Sequence, residues 1–474
     1  MIKKPNILLF ITHDQGQYIG CYESPENPVS LETPNIDRIA KNGVCFINHF
    51  CTAPQCSPSR ASIQSGKYPH QNGVMGLIDQ GWDVRRKEQL LIPNFLNEIG
   101  YSTHLIGFEH FTNKPKKIGY TSISKRKKEF GYSASFMEKK YLKFLRKHSN
   151  EETPFYLQIG TPESHRPFQL FAEPIKPNLI EVPPYFPDTK SVRKELGEFF
   201  GTIKRIDKTI GKIYEFLENS GLVDNTLFIY TTDHGIDMPK AKCTLYDPGI
   251  KTSLLMSWPQ SNLFSGGKRI ESLVSNIDLF PSLIDLLGGD KYYENIEGKS
   301  FIPLLKGEVG SIRNQIHAEK TYHVIYDPIR CVRSERYKYI KNFEGSRRSH
   351  RLFHIPTDTF SYKSKKSFKN EYIGDRPREE LYDLEIDPFE RNNLADNSDY
   401  KGILNDLRKK LDNWMTSTND PLLYGKVKPP VNYFKKRTQV FRNVMRKDLM
   451  FLLERMINYK PFRKSIRKTM KYFA

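Results

Sequence analysis

Residues 5–16 read PNILLFITHDQG. An unbroken apolar run, Ile7 to Ile11, is closed by Thr12, His13 and Asp14. Short continuous apolar runs with polar ends mark strands buried on both faces, which are typical of parallel sheets covered by helices. A second run at 225–235, NTLFIYTTDHG, closes on Asp233-His234-Gly235. Stretches of helical periodicity lie at 33–43 (TPNIDRIAKNG), 92–100 (IPNFLNEIG) and 200–221 (FGTIKRIDKTIGKIYEFLENSG). Strand and helix in alternation predict an α/β chain with a mostly parallel sheet. Such sheets bind ligands beyond the carboxyl ends of their strands, so Asp14, Asp233 and His234 are expected to face one crevice.

The chain has 474 residues, 38% apolar and 12% aromatic, enough for one large domain with a smaller partner. The predicted division is a catalytic domain over 1–310, a smaller α+β subdomain over 311–425 and a basic tail over 426–474. SNIDLFPSLIDLLGG (275–289) reads as a helix stopped by glycine, and CVRSERYKYIKNF (331–343) alternates like an exposed strand. Residues 344–376, rich in Ser, Lys and Arg, read as a long loop. No apolar run approaches membrane-spanning length.

Net charge is +20. From Lys426 to Lys471 fifteen Lys or Arg stand against Asp448 and Glu454. That asymmetry suits either a polyanion, such as anionic lipid, acidic glycan or nucleic acid, or a basic tail that is simply solvated. Phe441, Met445, Leu449, Leu452, Leu453 and Met456 form a helical stripe within the tail, either interfacial or packed on the protein's own surface. The six cysteines show neither a zinc spacing nor a disulfide framework, so reduced thiols are expected. MIKKPNILLFITHD lacks the apolar core and cleavage site of a signal peptide, which makes the expected location cytoplasmic, at most peripheral to a membrane.

The chemistry concentrates in residues 51–74, CTAPQCSPSRASIQSGKYPHQNGV. Ser57 as N-cap and Pro58 in the first turn would open a helix with Cys56 at its positive end. Free N–H groups there and Arg60 would form an anion site, and a thiol so placed would have a lowered pKa. A buried structural cysteine beside a proline turn is the other reading. Asp14, Asp233 and His234 suit a hard divalent cation beside an anionic substrate.

Cys56-Ser57-Pro58-Ser59-Arg60 resembles the C-x-P-S-R signature of the formylglycine-dependent (type I) sulfatases of the alkaline-phosphatase-like superfamily. PNILLFITHDQG, YTTDHG, KCTLYDPGIKT, SNIDLFPSLIDLLG and ELYDLEIDPFERNNLAD (380–396) resemble further family motifs, in family order. The resemblance implies an alkaline-phosphatase-like α/β fold: a large mixed, mostly parallel sheet flanked by helices, with a smaller C-terminal α+β subdomain. It implies that Cys56 becomes 3-oxoalanine (formylglycine) through a formylglycine-generating enzyme. It further implies that Asp14, Asp233, His234 and the modified Cys56 hold Ca2+ or Mg2+. By the same resemblance Arg60 holds the formylglycine and the sulfate, and Lys242 grips sulfate and leaving-group oxygens. His165 protonates the leaving group, and His110 assists the formylglycine hydroxyl.

Two positions depart from the family pattern. His13 stands where many relatives carry Asp, and Gly107-Phe108-Glu109-His110 where many carry Gly-Lys-x-His, so that Phe108 replaces a basic sulfate contact and Glu109 is expected instead to face a polar or cationic substrate group. THDQGQYIGCY, SHRPF and AEKTYHVIYDPIRCVRSERYKYI resemble the branch of heparan N-sulfatase (sulfamidase) and its bacterial relatives. That branch implies a sulfate ester or sulfamate on a sulfated carbohydrate, with His323, Asp327 and Arg330 as substrate contacts. Arg166 is a further candidate contact, and no specific nucleic-acid partner is expected. The alternatives are a phosphodiester or phosphonate monoester hydrolase on the same scaffold, and a non-catalytic glycan- or anion-binding homologue.

Overall fold

A computed structural model describes residues 4–25, 27–29, 31–85, 87–124, 133–323, 325–345 and 376–436. The apolar stripe at 441–456 and most of the predicted 344–376 loop lie outside these residues.

The central sheet has eight strands: β1 Asn6–Thr12, β2 Val44–Phe46, β3 Ser102–Gly107, β4 Ser122–Ser124, β5 Phe155–Gly160, β6 Thr226–Thr232, β7 Leu254–Ser257 and β8 Lys268–Ile270. Their order is β4-β3-β5-β1-β6-β7-β2-β8. The first five of that order run parallel, and β7 is antiparallel to both β6 and β2.

β1 is the strand its sequence predicts, every residue buried. Period-two alternation sends Ile7, Leu9 and Ile11 to one apolar layer, and Leu8 and Phe10 to the other. The first layer is completed by helix α2 (Cys56–Ser65), the short helix Ile92–Glu98 and helix α5 (Leu279–Leu286). The second is completed by α1 (Pro34–Asn42), α3 (Ala134–His148) and α4 (Lys190–Asn219). α4 starts ten residues before the predicted stretch, where Thr189 accepts a hydrogen bond from the Val192 N–H and caps it.

A second sheet contains β9 (Gln315–Tyr322), β10 (Tyr326–Ser334), β11 (Tyr337–Asn342) and β12 (Glu379–Asp383), antiparallel in that order. The stretch read as one exposed strand, 331–343, is a tight hairpin turning at Glu335-Arg336, with Cys331, Val332, Tyr339 and Ile340 buried. Its alternation survives; only its polar face is also covered. Helix α6 (Lys401–Ser417) packs Leu404, Leu407, Leu411 and Trp414 onto this sheet. Ile316, Ala318, Ile329 and Cys331 join it to Phe50, Cys51 and Leu245 of the larger unit. Val427 and Tyr433 return to the main core, so the chain up to that point packs on the body of the protein.

Candidate active site

Strand register assembles the site. Thr12 lies opposite Thr232, Ile11 opposite Gly160, and Gly160 opposite Gly107. Four neighbouring parallel strands therefore end at one level and deliver His13-Asp14, Asp233-His234, His165 and His110 to a single crevice. Close passage of two of these ends requires glycine: a Cβ at Gly160 would lie 1.6 Å from the Phe108 carbonyl oxygen. In the resulting turn Phe108 stacks beside His13 and His110 and lies under the Arg60 guanidinium.

Helix α2 enters the same crevice. Cys56 is its first residue and Gln55, in extended conformation, its N-cap; Ser57, the expected cap, lies inside the first turn. The Ser57 hydroxyl instead accepts from the Ile78 N–H and sits 3.4 Å from His110 Nδ1. Cys56 Sγ is 2.9 Å from His13 Nε2, 3.4 Å from His234 Nε2 and 4.0 Å from Asp14 Oδ1. Burial, ahead of every charge around it, pushes the thiol's pKa well up; the expected lowering at a helix N-terminus is overridden.

Asp14 and Asp233 are wholly buried. Asp14 Oδ2 accepts from Lys242 Nζ at 2.5 Å, and Asp14 Oδ1 lies 3.1 Å from His234 Nε2 and 3.3 Å from His13 Nε2. Asp233 Oδ2 accepts from Arg60 Nε at 2.8 Å, while Oδ1 accepts the N–H groups of Asp14 and His234. A second Arg60 nitrogen donates to the Thr12 carbonyl. Burial raises the Asp14 pKa to about 6 despite Lys242. Burial also pushes Asp233 upward, but His234, Arg60 and the hydrogen bonds together hold it below the usual value. Burial lowers His13 and His234. Lys242, also disfavoured by burial, is carried well above its ordinary value by Asp14 and Asp237.

His165 lies at the opening, its side chain 40% exposed and Nε2 3.9 Å from Asp14 Oδ2. Its Nδ1 donates to the Arg166 carbonyl at 2.6 Å, which leaves Nε2 directed at the crevice. Desolvation by the surrounding walls, then Lys242, lowers its pKa to about 3. His110 Nε2 is 3.0 Å from Asp79 Oδ2.

Among the described residues, donor atoms of His13, Asp14, Cys56, Asp233 and His234 lie within 4.8 Å of one another. His234 Nδ1 donates to Gly235 O at 2.9 Å, leaving Nε2 as a free lone pair toward the cluster. Two carboxylates and inward-facing imidazoles fit a divalent cation.

The substrate-contact expectations fare differently. Arg330 is fully buried, its guanidinium bonded to Asp420, Lys320 O, Ile329 O and Thr321. With Glu319 at 3.3 Å and His70 beyond it, Arg330 ties β10 to the end of α6 and does not line the crevice. Asp327 pairs with Lys320 at 2.6 Å and Arg376 at 2.7 Å. Arg166 is bound to Glu195 and to the Asp237 carbonyl. Glu109 is buried beside Tyr120, whose phenol pKa it helps burial and Tyr156 to raise. His323 is 8% exposed, in the β9–β10 turn. Sequence reasoning passed over Asp79, Asp237 and Gln55. Asp237, five residues before Lys242 in GIDMPKAK, carried a local signal; Asp79 carried none.

Residues 5–289 match the family model for Sulfatase, and residues 240–370 match that for the C-terminal part of N-sulphoglucosamine sulphohydrolase. The chain belongs to the sulfatase family and is a sulfuric ester hydrolase. It is 30% identical over 443 residues to an ulvan-active sulfatase of Formosa agariphila, covering 90% of this chain and 83% of that one. It is 27% identical over 470 residues to the N-sulphoglucosamine sulphohydrolase of Homo sapiens, covering 88% and 91%. A structure in complex with its substrate D-glucosamine-2-N,6-O-disulfate superimposes with a TM-score of 0.69 at 19% identity, covering 88% of this chain and 99% of that one. A 2-O GAG sulfatase gives 0.70 at 21%, covering 91% and 96%. These structures share the fold described above.

Proposed function

We propose that this chain removes sulfate from a sulfated carbohydrate, as an ester or sulfamate of an amino sugar such as N-sulfoglucosamine. It does so through a formylglycine made from Cys56 by a formylglycine-generating enzyme, and through a divalent cation. The observation that carries the proposal is Cys56 at the meeting point of the two carboxylate strand ends, with Lys242 and Arg60 beside them. The human relative's name and the C-terminal family match support an N-sulfated amino sugar; the ulvan-active relatives support a sulfated glycan more broadly.

When present, hydrated formylglycine supplies an in-line hydroxyl nucleophile and a second hydroxyl through which sulfate is later released. Asp14, Asp233 and His234, with His13 beside them, would hold the cation, which would supply positive charge to the sulfate oxygens. Lys242 and Arg60 add fixed positive charge in a dry crevice, where it acts far more strongly than in water. His165 presents Nε2 at the mouth as the acid for the departing oxygen or nitrogen. Desolvation and Lys242 keep it neutral, whereas an incoming sulfate offsets Lys242 and raises its proton affinity. His110, oriented by Asp79, receives the proton of the nucleophile.

The test pairs site-resolved mass spectrometry of the Asn42–Arg60 peptide with sulfate release from N-sulfo- and O-sulfoglucosamines and from matched aryl sulfate and phosphonate esters. An aldehyde at Cys56 with sulfate release from a sugar supports the proposal. An intact thiol in protein from its native host, or turnover confined to the phosphonate, overturns it.

A further inference from the structure

The five-donor cluster is not built for a hard cation. Calcium takes six to eight oxygen ligands and favours several carboxylates, and magnesium takes an octahedron of oxygens. Here there are two carboxylates, and both are shared with buried cations: Asp14 with Lys242 and Asp233 with Arg60. Asp233 Oδ1 is further occupied by two backbone N–H groups. The fixed charges around the cluster thus cancel in pairs. The remaining protein donors are two imidazoles. His234 is held with Nε2 inward by its bond to Gly235 O. His13, its ring against Phe108, places Nε2 3.3 Å from Asp14 Oδ1 and 3.6 Å from Asp233 Oδ2. Its other nitrogen, Nδ1, is buried with no hydrogen-bond partner among the described residues, so the polar contacts of this ring are made through Nε2.

We infer that this site takes a borderline first-row transition dication, of the zinc class, in preference to calcium or magnesium, and that His13 sets the preference. Imidazole nitrogen suits zinc, cobalt and iron, whereas carboxylate oxygen suits calcium, magnesium and manganese. A neutral nitrogen at position 13 removes the negative charge and the hard oxygen that would draw calcium. With the two imidazoles, one or two oxygens from residue 56 and one from sulfate would complete a four- or five-coordinate shell. The inference rests on the reading of this cluster as the sulfatase cation site, but is measured without turnover, so the two fail separately.

The experiment titrates Zn2+ and Ca2+ into metal-free full-length protein by calorimetry. It is done in a Cys56→Ser background, because a thiol would itself attract zinc and a hydroxyl stands in for the hydrate oxygen. Zinc is expected to bind at least about 100-fold more tightly than calcium. His13→Asp should shrink that ratio by about tenfold or more through gained calcium affinity, and His13→Asn should lose zinc affinity without that gain. X-ray absorption of the zinc-loaded parent, which needs neither variant to fold, should show two imidazoles in the first shell. Calcium binding as tight as zinc in the parent, an unchanged ratio in both variants, or an all-oxygen shell overturns the inference.

Discussion

Replacing Lys242 by Met tests whether the pair with Asp14 governs the charge of the crevice. Lys242 is the strongest influence favouring ionised Asp14, whose pKa is nonetheless raised from an ordinary 3.8 to about 6. A carboxyl with a raised folded pKa stabilises the fold most below its unfolded pKa, and that contribution is lost as pH rises through the folded value. In metal-free parent protein the shift amounts to about 3 kcal/mol lost between pH 4 and pH 7. Without Lys242 the Asp14 pKa climbs further. At pH 5 Asp14 is protonated in both proteins, so its contribution to the difference is small. At pH 8 the variant holds a buried, unpaired carboxyl, and two pH units above 6 set its added destabilisation at up to about 3 kcal/mol. For a chain of this length that is a fall of about 3 °C in the thermal midpoint. The assay is thermal unfolding of parent and variant in chelator at pH 5 and pH 8. A destabilisation that is equal at the two values, or greater at pH 5, would falsify this account of the pair. In matured enzyme the same change should lower kcat/KM by about 10²–10³-fold.

His165→Asn should reduce kcat by about 10²–10³-fold on sugar substrates, and far less on aryl sulfates whose leaving group needs no proton; equal losses on both would remove the acid role. Arg330→Ala leaves Glu319 and Asp420 buried without their cation, and should cost about 3–5 kcal/mol of stability in denaturant titration. If it instead raised KM in a protein of normal stability, the arginine would belong to the substrate pocket after all. Gly160→Ala drives a methyl into the Phe108 carbonyl and should yield little soluble protein; normal expression and activity would show that the strand ends can part.

The strands that carry the site were legible because burial on both faces writes itself into a few adjacent residues. Ile7 to Ile11 is such a run, and its polar terminus is necessarily a strand end. The cap of α2 was misjudged by two residues, because Ser57 is an intrinsically good cap whose hydroxyl is taken by the Ile78 N–H. The low thiol pKa expected of Cys56 failed for a similar reason: a helix terminus acts locally, whereas the burial that outweighs it comes from the whole crevice.

By itself the sequence determined the alternation of strand and helix, the sulfatase-signature residues, the carboxylates and histidines at the strand ends, and the order in which they occur. These are encoded within spans of about ten residues, over which side-chain periodicity and turn chemistry operate. Only the tertiary structure decided that Thr12 stands opposite Thr232, that His13 turns its Nε2 into the cluster, and that Asp79 faces His110. It also decided that Arg330 serves Asp420 in place of a ligand. Each of those pairings joins residues far apart in the chain. Their geometry follows from how two helix layers and a second sheet close on the central strands, which no local stretch of sequence records.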